Sequence, residues 1–185
     1  TITGSPNITL TGGASGGIDN EGNFATIGTD TGLQTISANS IVLQGGASGT
    51  ENFARMFAVG AGGQNITAFG ITLTGGASGG GIDMGNFAQI NSSGSQSLTV
   101  GSGGLHLTGG GGPLTQNFAS VFQGGLAGTT GTITVNGGGA IVLQGGSSAL
   151  SGVGSTTSGS SAFVTADGDP AADRPGGEHE RPGRC

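Results

Sequence analysis

The chain has 185 residues, 45 of them Gly, with no Lys, Trp or Tyr and a net charge of −6. Glycine at this density signals a low-complexity or repetitive chain, but it does not recur at every third position, which excludes collagen. Up to Ala166 the one basic residue is Arg55, against Asp19, Glu21, Asp30, Glu51 and Asp83, so a footprint for nucleic-acid phosphates is missing.

The opening Thr1-Ile2-Thr3 reads as the end of a repeat already in progress, and the chain is expected to be a piece of something longer. At Ile8 a phrase begins that organises the rest. ITLTGGASGG (Ile8–Gly17) returns letter for letter at Ile71–Gly80. Variants open at Ile41 (IVLQGGASG), Leu105 (LHLTGGGG) and Ile141 (IVLQGGSS), so the starts lie 33, 30, 34 and 36 residues apart. Copies one and three match best, as do two and five. A fixed internal period is the mark of a stacked-repeat architecture.

Each repeat holds three strand-like pieces. The first is the opening phrase, whose apolar pairs Ile8/Leu10, Ile41/Leu43, Ile71/Leu73, Leu105/Leu107 and Ile141/Leu143 sit two apart and share one face of a strand. A Gly-Gly pair follows every time and reads as a turn. The second piece is Asn-Phe-Ala, at Asn23, Asn52, Asn86 and Asn117, followed by a polar and then an apolar residue. The third is Gln34-Thr35-Ile36, Gln64-Asn65-Ile66, Gln96-Ser97-Leu98 and Gly131-Thr132-Ile133, again with period two. No window holds a helical period, because Gly interrupts each one.

Short strands at about ten-residue spacing mean an all-β protein. Each piece resembles its counterpart in the next repeat, so like stacks on like. The expected fold is a right-handed parallel β-helix, or β-solenoid, of about five coils of roughly 30–36 residues with three short strands per coil. Its core is a thin column of Ile, Leu, Val and Ala, each about 4.8 Å from its equivalent. The Gln and Asn rows suit amide ladders along the stack, or, for Asn, turns.

The pattern fades after Leu150. Residues 1–166 form the array, and residues 167–185, rich in charge and Pro, are expected to be a disordered tail. No apolar run reaches the roughly 18 residues of a membrane-spanning helix, so no integral membrane protein is expected. Cys185 is the single cysteine. It cannot close an internal disulfide and assigns no compartment.

The cadence QTISANSIVLQGGASGTENFA (Gln34–Ala54), together with QSLTVGSGGLHLTGG (Gln96–Gly110), resembles the repeats of filamentous-haemagglutinin-type exoproteins, bacterial adhesins exported by two-partner secretion. The resemblance covers about Thr1–Ser151. It implies a β-helical shaft on the outside of the cell, a role in adhesion and a receptor or glycan on a host or neighbouring cell as partner, beside the adjacent coils of the parent chain. The family's amino-terminal secretion domain is not recognisable, and the shaft repeats carry no catalytic residues to transfer.

Chemistry is sparse. His106 replaces an outward Thr, and His179 lies in the tail, so a nucleophilic triad has no base in place. Asp19, Glu21, Glu51 and Asp83 form the best acidic edge, in the loop after the Gly-Gly turn. Paired carboxylates there would suit a β-helical glycan lyase or hydrolase; a solvated loop edge is the plainer reading. GGGIDMGNF echoes the calcium β-roll once, without tandem copies. The Thr-x-Thr pairs of an ice-binding face are broken at every second coil. No enzyme, cofactor or metal is therefore expected.

The remaining candidate is Phe24, Phe53, Phe87 and Phe118. Strict alternation sends these rings outward as an aromatic column, which would mark an interaction surface. The expectation is instead a bend at Asn-Phe that turns each ring into the core, since wet rings are costly and Asn tolerates corner conformations.

Overall fold

In a computed structural model, residues 1–17, 22–79, 85–112, 116–124, 131–147 and 160–166 are described. They form eleven strands: β1 (Asn7–Thr11), β2 (Ala25–Thr29), β3 (Gln34–Gln44), β4 (Ala54–Ala58), β5 (Gln64–Thr74), β6 (Ala88–Ser92), β7 (Gln96–Thr108), β8 (Ala119–Gln123), β9 (Ile133–Gly137), β10 (Ile141–Gln144) and β11 (Ala162–Ala166). The tail from residue 167 lies outside the described residues. Among those described, no helix is long and apolar enough to cross a membrane.

The strands stack in parallel as a β-solenoid of about 4 turns. One sheet runs β1-β3-β5-β7-β10, with β9 also on β7; the other runs β2-β4-β6-β8-β11. Leu10, Leu43, Leu73, Leu107 and Leu143 are successive partners in one parallel ladder, as like-on-like stacking requires. Five copies of the phrase are five rungs, and five rungs bound four complete turns. The expected five coils are corrected accordingly.

Three separate strands per coil is corrected too. The third piece and the next opening phrase join in one long strand, β3, β5 or β7. Burial along β3 alternates through Gln34, Ile36 and Ala38, skips Asn39 and Ser40, and resumes at Ile41 and Leu43. Two consecutive outward residues shift the phase by one and bend the strand while the ladder continues through Ser40↔Gly70. The corner is thus a bend inside a hydrogen-bonded strand. In β7 the same corner takes a bulge, opposite Ala68/Gly70. In the last coil β9 and β10 separate.

The interior is the expected aliphatic column. Ile36, Ile66 and Leu98 form one row, Ile41, Ile71 and Leu105 another, Leu43, Leu73 and Leu107 a third, each side chain at most 1% exposed. Each such burial contributes about 1.5–3 kcal/mol. Facing them in the second sheet are Ala54, Ala88 and Ala119, then Met56, Ile90 and Val121. Identical residue types differ at the ends: Ile141 and Leu143 are 54% and 46% exposed.

The second sheet runs one rung past where the sequence pattern fades. β11 pairs Ala162 with Ala119 and Val164 with Val121. It is a fifth second piece, with Ser160-Ser161 in place of Asn-Phe.

The glutamine row is only partly a ladder. Gln64 Nε2 donates to Gln34 Oε1 at 2.8 Å. Gln34 and Gln96 instead reach across the interior to the carbonyls of Phe57 and Phe122.

Candidate functional site: the outer phenylalanine column

The column is built by the Asn-Phe-Ala corner. Asn52, Asn86 and Asn117 are fully buried, and so are Ala54, Ala88 and Ala119. With Asn and Ala both pointing inward, an extended backbone must send the intervening Phe outward. The side chains of the Asn row are spent on the stack. The Asn52 N–H donates to Asn86 Oδ1 at 2.8 Å, and the Asn86 N–H to Asn117 Oδ1 at 2.9 Å. Asn86 Nδ2 donates to the carbonyls of Gly49 and Ser78, both at 2.9 Å. Asn23, one coil earlier, donates its N–H to Asn52 Oδ1 at 2.8 Å. None of these Asn residues has a positive φ; in this stretch it is Glu51, just before Asn52, that does, at 56°. Asparagine is there for its amide, not for left-handed tolerance.

The expected inward bend is therefore overturned: the four rings stand outside. Phe24 is 57% exposed, and Phe53, Phe87 and Phe118 are partly buried. What makes this tolerable is the rung spacing. Ring centroids lie 5.0, 4.7 and 4.9 Å apart in succession, with planes within 5° of parallel. Each ring covers the next one's face, so only the end ring keeps a wet face. Phe163 closes the far end, tilted by 43° on Phe118 at 5.5 Å.

The surface extends beyond the four residues. Phe57, Phe122 and Phe163 alternate outward on β4, β8 and β11, so the outer side of the second sheet carries all the phenylalanines except Phe69. Phe57 and Phe122 each lie four residues past a column Phe, on the same parity, which is a signal that period-two counting could have found. Between the rings runs Arg55. Its guanidinium carbon lies 5.6 Å from the Phe53 ring centre and 4.5 Å from that of Phe57, within cation–π reach. Burial draws its pKa below the ordinary value.

The geometry limits what can dock. Stacked rings offer their edges outward, and edges carry the positive part of the aromatic quadrupole. A sugar stacks on a ring face, and in the column the faces are occupied except at Phe24. The column therefore suits apolar or electron-rich side chains better than a glycan.

Of the acidic edge, Asp19, Glu21 and Asp83 lie outside the described residues. Glu51 sits partly buried at the Asn corner. Among the described residues no group of three or more His, Cys, Asp and Glu could hold a metal ion. His106 is on the outward face as expected, its Nε2 3.1 Å from the Gly103 carbonyl oxygen.

Because the Phe87 ring is external, Phe87→Ala should cost about 1–2 kcal/mol for a stacked, partly covered ring, not the roughly 3–5 kcal/mol of a core aromatic. Denaturant unfolding of the variant measures this, and a loss in the core range would place the ring inside.

The fold and this surface define the class: a parallel β-solenoid repeat protein with an aromatic ridge along one side. Comparison with protein-family models, curated proteins and solved structures yields no match.

Proposed function

We propose that the chain is a structural shaft segment of a secreted or cell-surface bacterial adhesin of the filamentous-haemagglutinin type, without enzymatic activity. The observation that carries this reading is the like-on-like stack, which turns one short repeat into a rod displaying an outward Phe at four successive rungs. A rod of this kind spaces binding elements away from a cell surface. Adjacent coils of the parent chain extend it, and the phenylalanine ridge is its contact surface. The occupied ring faces favour an apolar patch on a receptor protein of a host or neighbouring cell over a glycan.

Beads coated with the chain should adhere to target cells. The double variant Phe53→Ser/Phe87→Ser should reduce adhesion by on the order of 10-fold, as loss of central aromatic anchors does elsewhere, with the β-rich circular dichroism retained. Equal adhesion by the variant would remove the ridge from the reading. Release of reducing sugar from a polysaccharide panel, abolished by Asp83→Ala, would replace the shaft by a glycan-active enzyme using the Asp19/Glu21/Glu51/Asp83 edge.

A further inference from the structure

One place on the ridge breaks the repeat. The row beside the phenylalanine column reads Thr26, Arg55, Gln89, Ser120 and Phe163 from rung to rung, neutral apart from Arg55. This rung is internal, with β2 on one side of β4 and β6 on the other. The guanidinium has a fixed seat. Phe57 leans over Gly28 of the preceding coil, where any Cβ would overlap the ring. The guanidinium carbon of Arg55 then lies 4.5 Å from the Phe57 ring centre and 5.6 Å from that of Phe53.

What this seat lacks is an anion. Among the described residues Arg55 forms no ion pair, and its covered Nε has no hydrogen-bond partner. Burial removes part of its hydration, and a charge stripped of water is ordinarily paired. The guanidinium is a planar fork whose geometry matches a carboxylate. We infer that the partner docking on the ridge is a protein segment carrying one Asp or Glu between apolar side chains. Its carboxylate pairs with Arg55, and its apolar neighbours lie along Phe53, Phe57 and Phe87. The inference rests on the reading of the ridge as the contact surface. Charge complementarity sets the number of acids, because one cation in a neutral face takes one carboxylate. An acidic sugar fits less well: the faces of Phe53 and Phe87 are covered by neighbouring rings, so a pyranose has no face there to stack on.

The chain has no Trp or Tyr, so the fluorescence of a Trp-bearing peptide reports binding without background. The probes are acetyl-Leu-Trp-Glu-Leu-amide and its Gln counterpart, each titrated with the full chain. The Glu peptide should bind about 10-fold more tightly than the Gln peptide, and Arg55→Gln should abolish the difference. That variant keeps a side chain the fold already accepts, since Gln89 holds the same place one coil along. Arg55→Lys retains the charge without the fork and should keep part of the advantage. Should Arg55→Gln fail to fold, salt decides on the wild type: the Glu advantage should shrink as ionic strength rises. Equal affinity for the two peptides, no binding of either, or a Glu advantage that survives Arg55→Gln or high salt overturns the inference. Tighter binding of an oligogalacturonate than of the Glu peptide overturns it in favour of an acidic glycan. Phe53→Ser/Phe87→Ser separates this from the underlying reading. It should weaken both peptides alike; if it weakens neither, the ridge itself is not the contact surface, and the apolar-flanked segment falls with it.

Discussion

Replacing Asn86 with alanine should destabilise the solenoid by about 3–6 kcal/mol, a large part of the 5–15 kcal/mol typical of a whole domain. The amide makes three bonds from a fully buried position: it accepts from the Asn52 N–H and donates to the Gly49 and Ser78 carbonyls. Truncation leaves three backbone groups of two coils without their side-chain partner, the buried Asn52 N–H and the part-buried Gly49 and Ser78 carbonyls, each bond worth about 1–2 kcal/mol. Asn86→Asp keeps the acceptor but loses both donors and buries a charge, so it should be at least as damaging. Denaturant titrations of the three proteins measure the differences. Losses below about 1 kcal/mol would mean that water reaches the corner and that the Asn row marks a turn only.

Gly75→Ala should be comparably severe, at about 3 kcal/mol or more, for a reason unrelated to turn conformation. Neither Gly75 nor its equivalents Gly45 and Gly12 have a positive φ. A Cβ at Gly75 would instead lie on the backbone carbonyl of Asn117, one coil along, far inside contact distance; at Gly45 it would meet the Asn86 carbonyl in the same way. The opposing atoms are backbone, so no side chain can swing aside, and relief requires the coils to separate at the corner where Gly76 N donates to Asn86 O at 2.5 Å. Gly32 is the control. It has φ of 76° but open space around its Cβ position, so Gly32→Ala should show only the modest penalty of a left-handed residue, about 1 kcal/mol. Thermal unfolding of both variants tests the contrast. Equal losses would return the Gly-Gly pairs to the role of simple turn formers.

The sequence by itself determined the fold class, the period and the rungs. Period-two alternation assigns faces within a strand, and near-identity between copies assigns partners between strands, so Leu10 had to meet Leu43 and Leu43 to meet Leu73. Three matters were decided only in three dimensions. Alternation already pointed Phe24, Phe53, Phe87 and Phe118 outward, but whether four wet rings are tolerable depends on their separation, and the rung spacing of 4.7–5.0 Å between centroids lets them cover one another. The corner at Asn39-Ser40 reads in sequence as a gap between two strands; the ladder hydrogen bonds that carry β3 through it exist only once a neighbouring coil is present. The fate of equal residues at unequal positions was beyond local reading as well. Leu73 is fully buried and Leu143 is 46% exposed because, among the described residues, one has a rung on both sides and the other on one. A side chain's letter sets what it can do in contact with water, but burial in a stack is supplied by the neighbours above and below it.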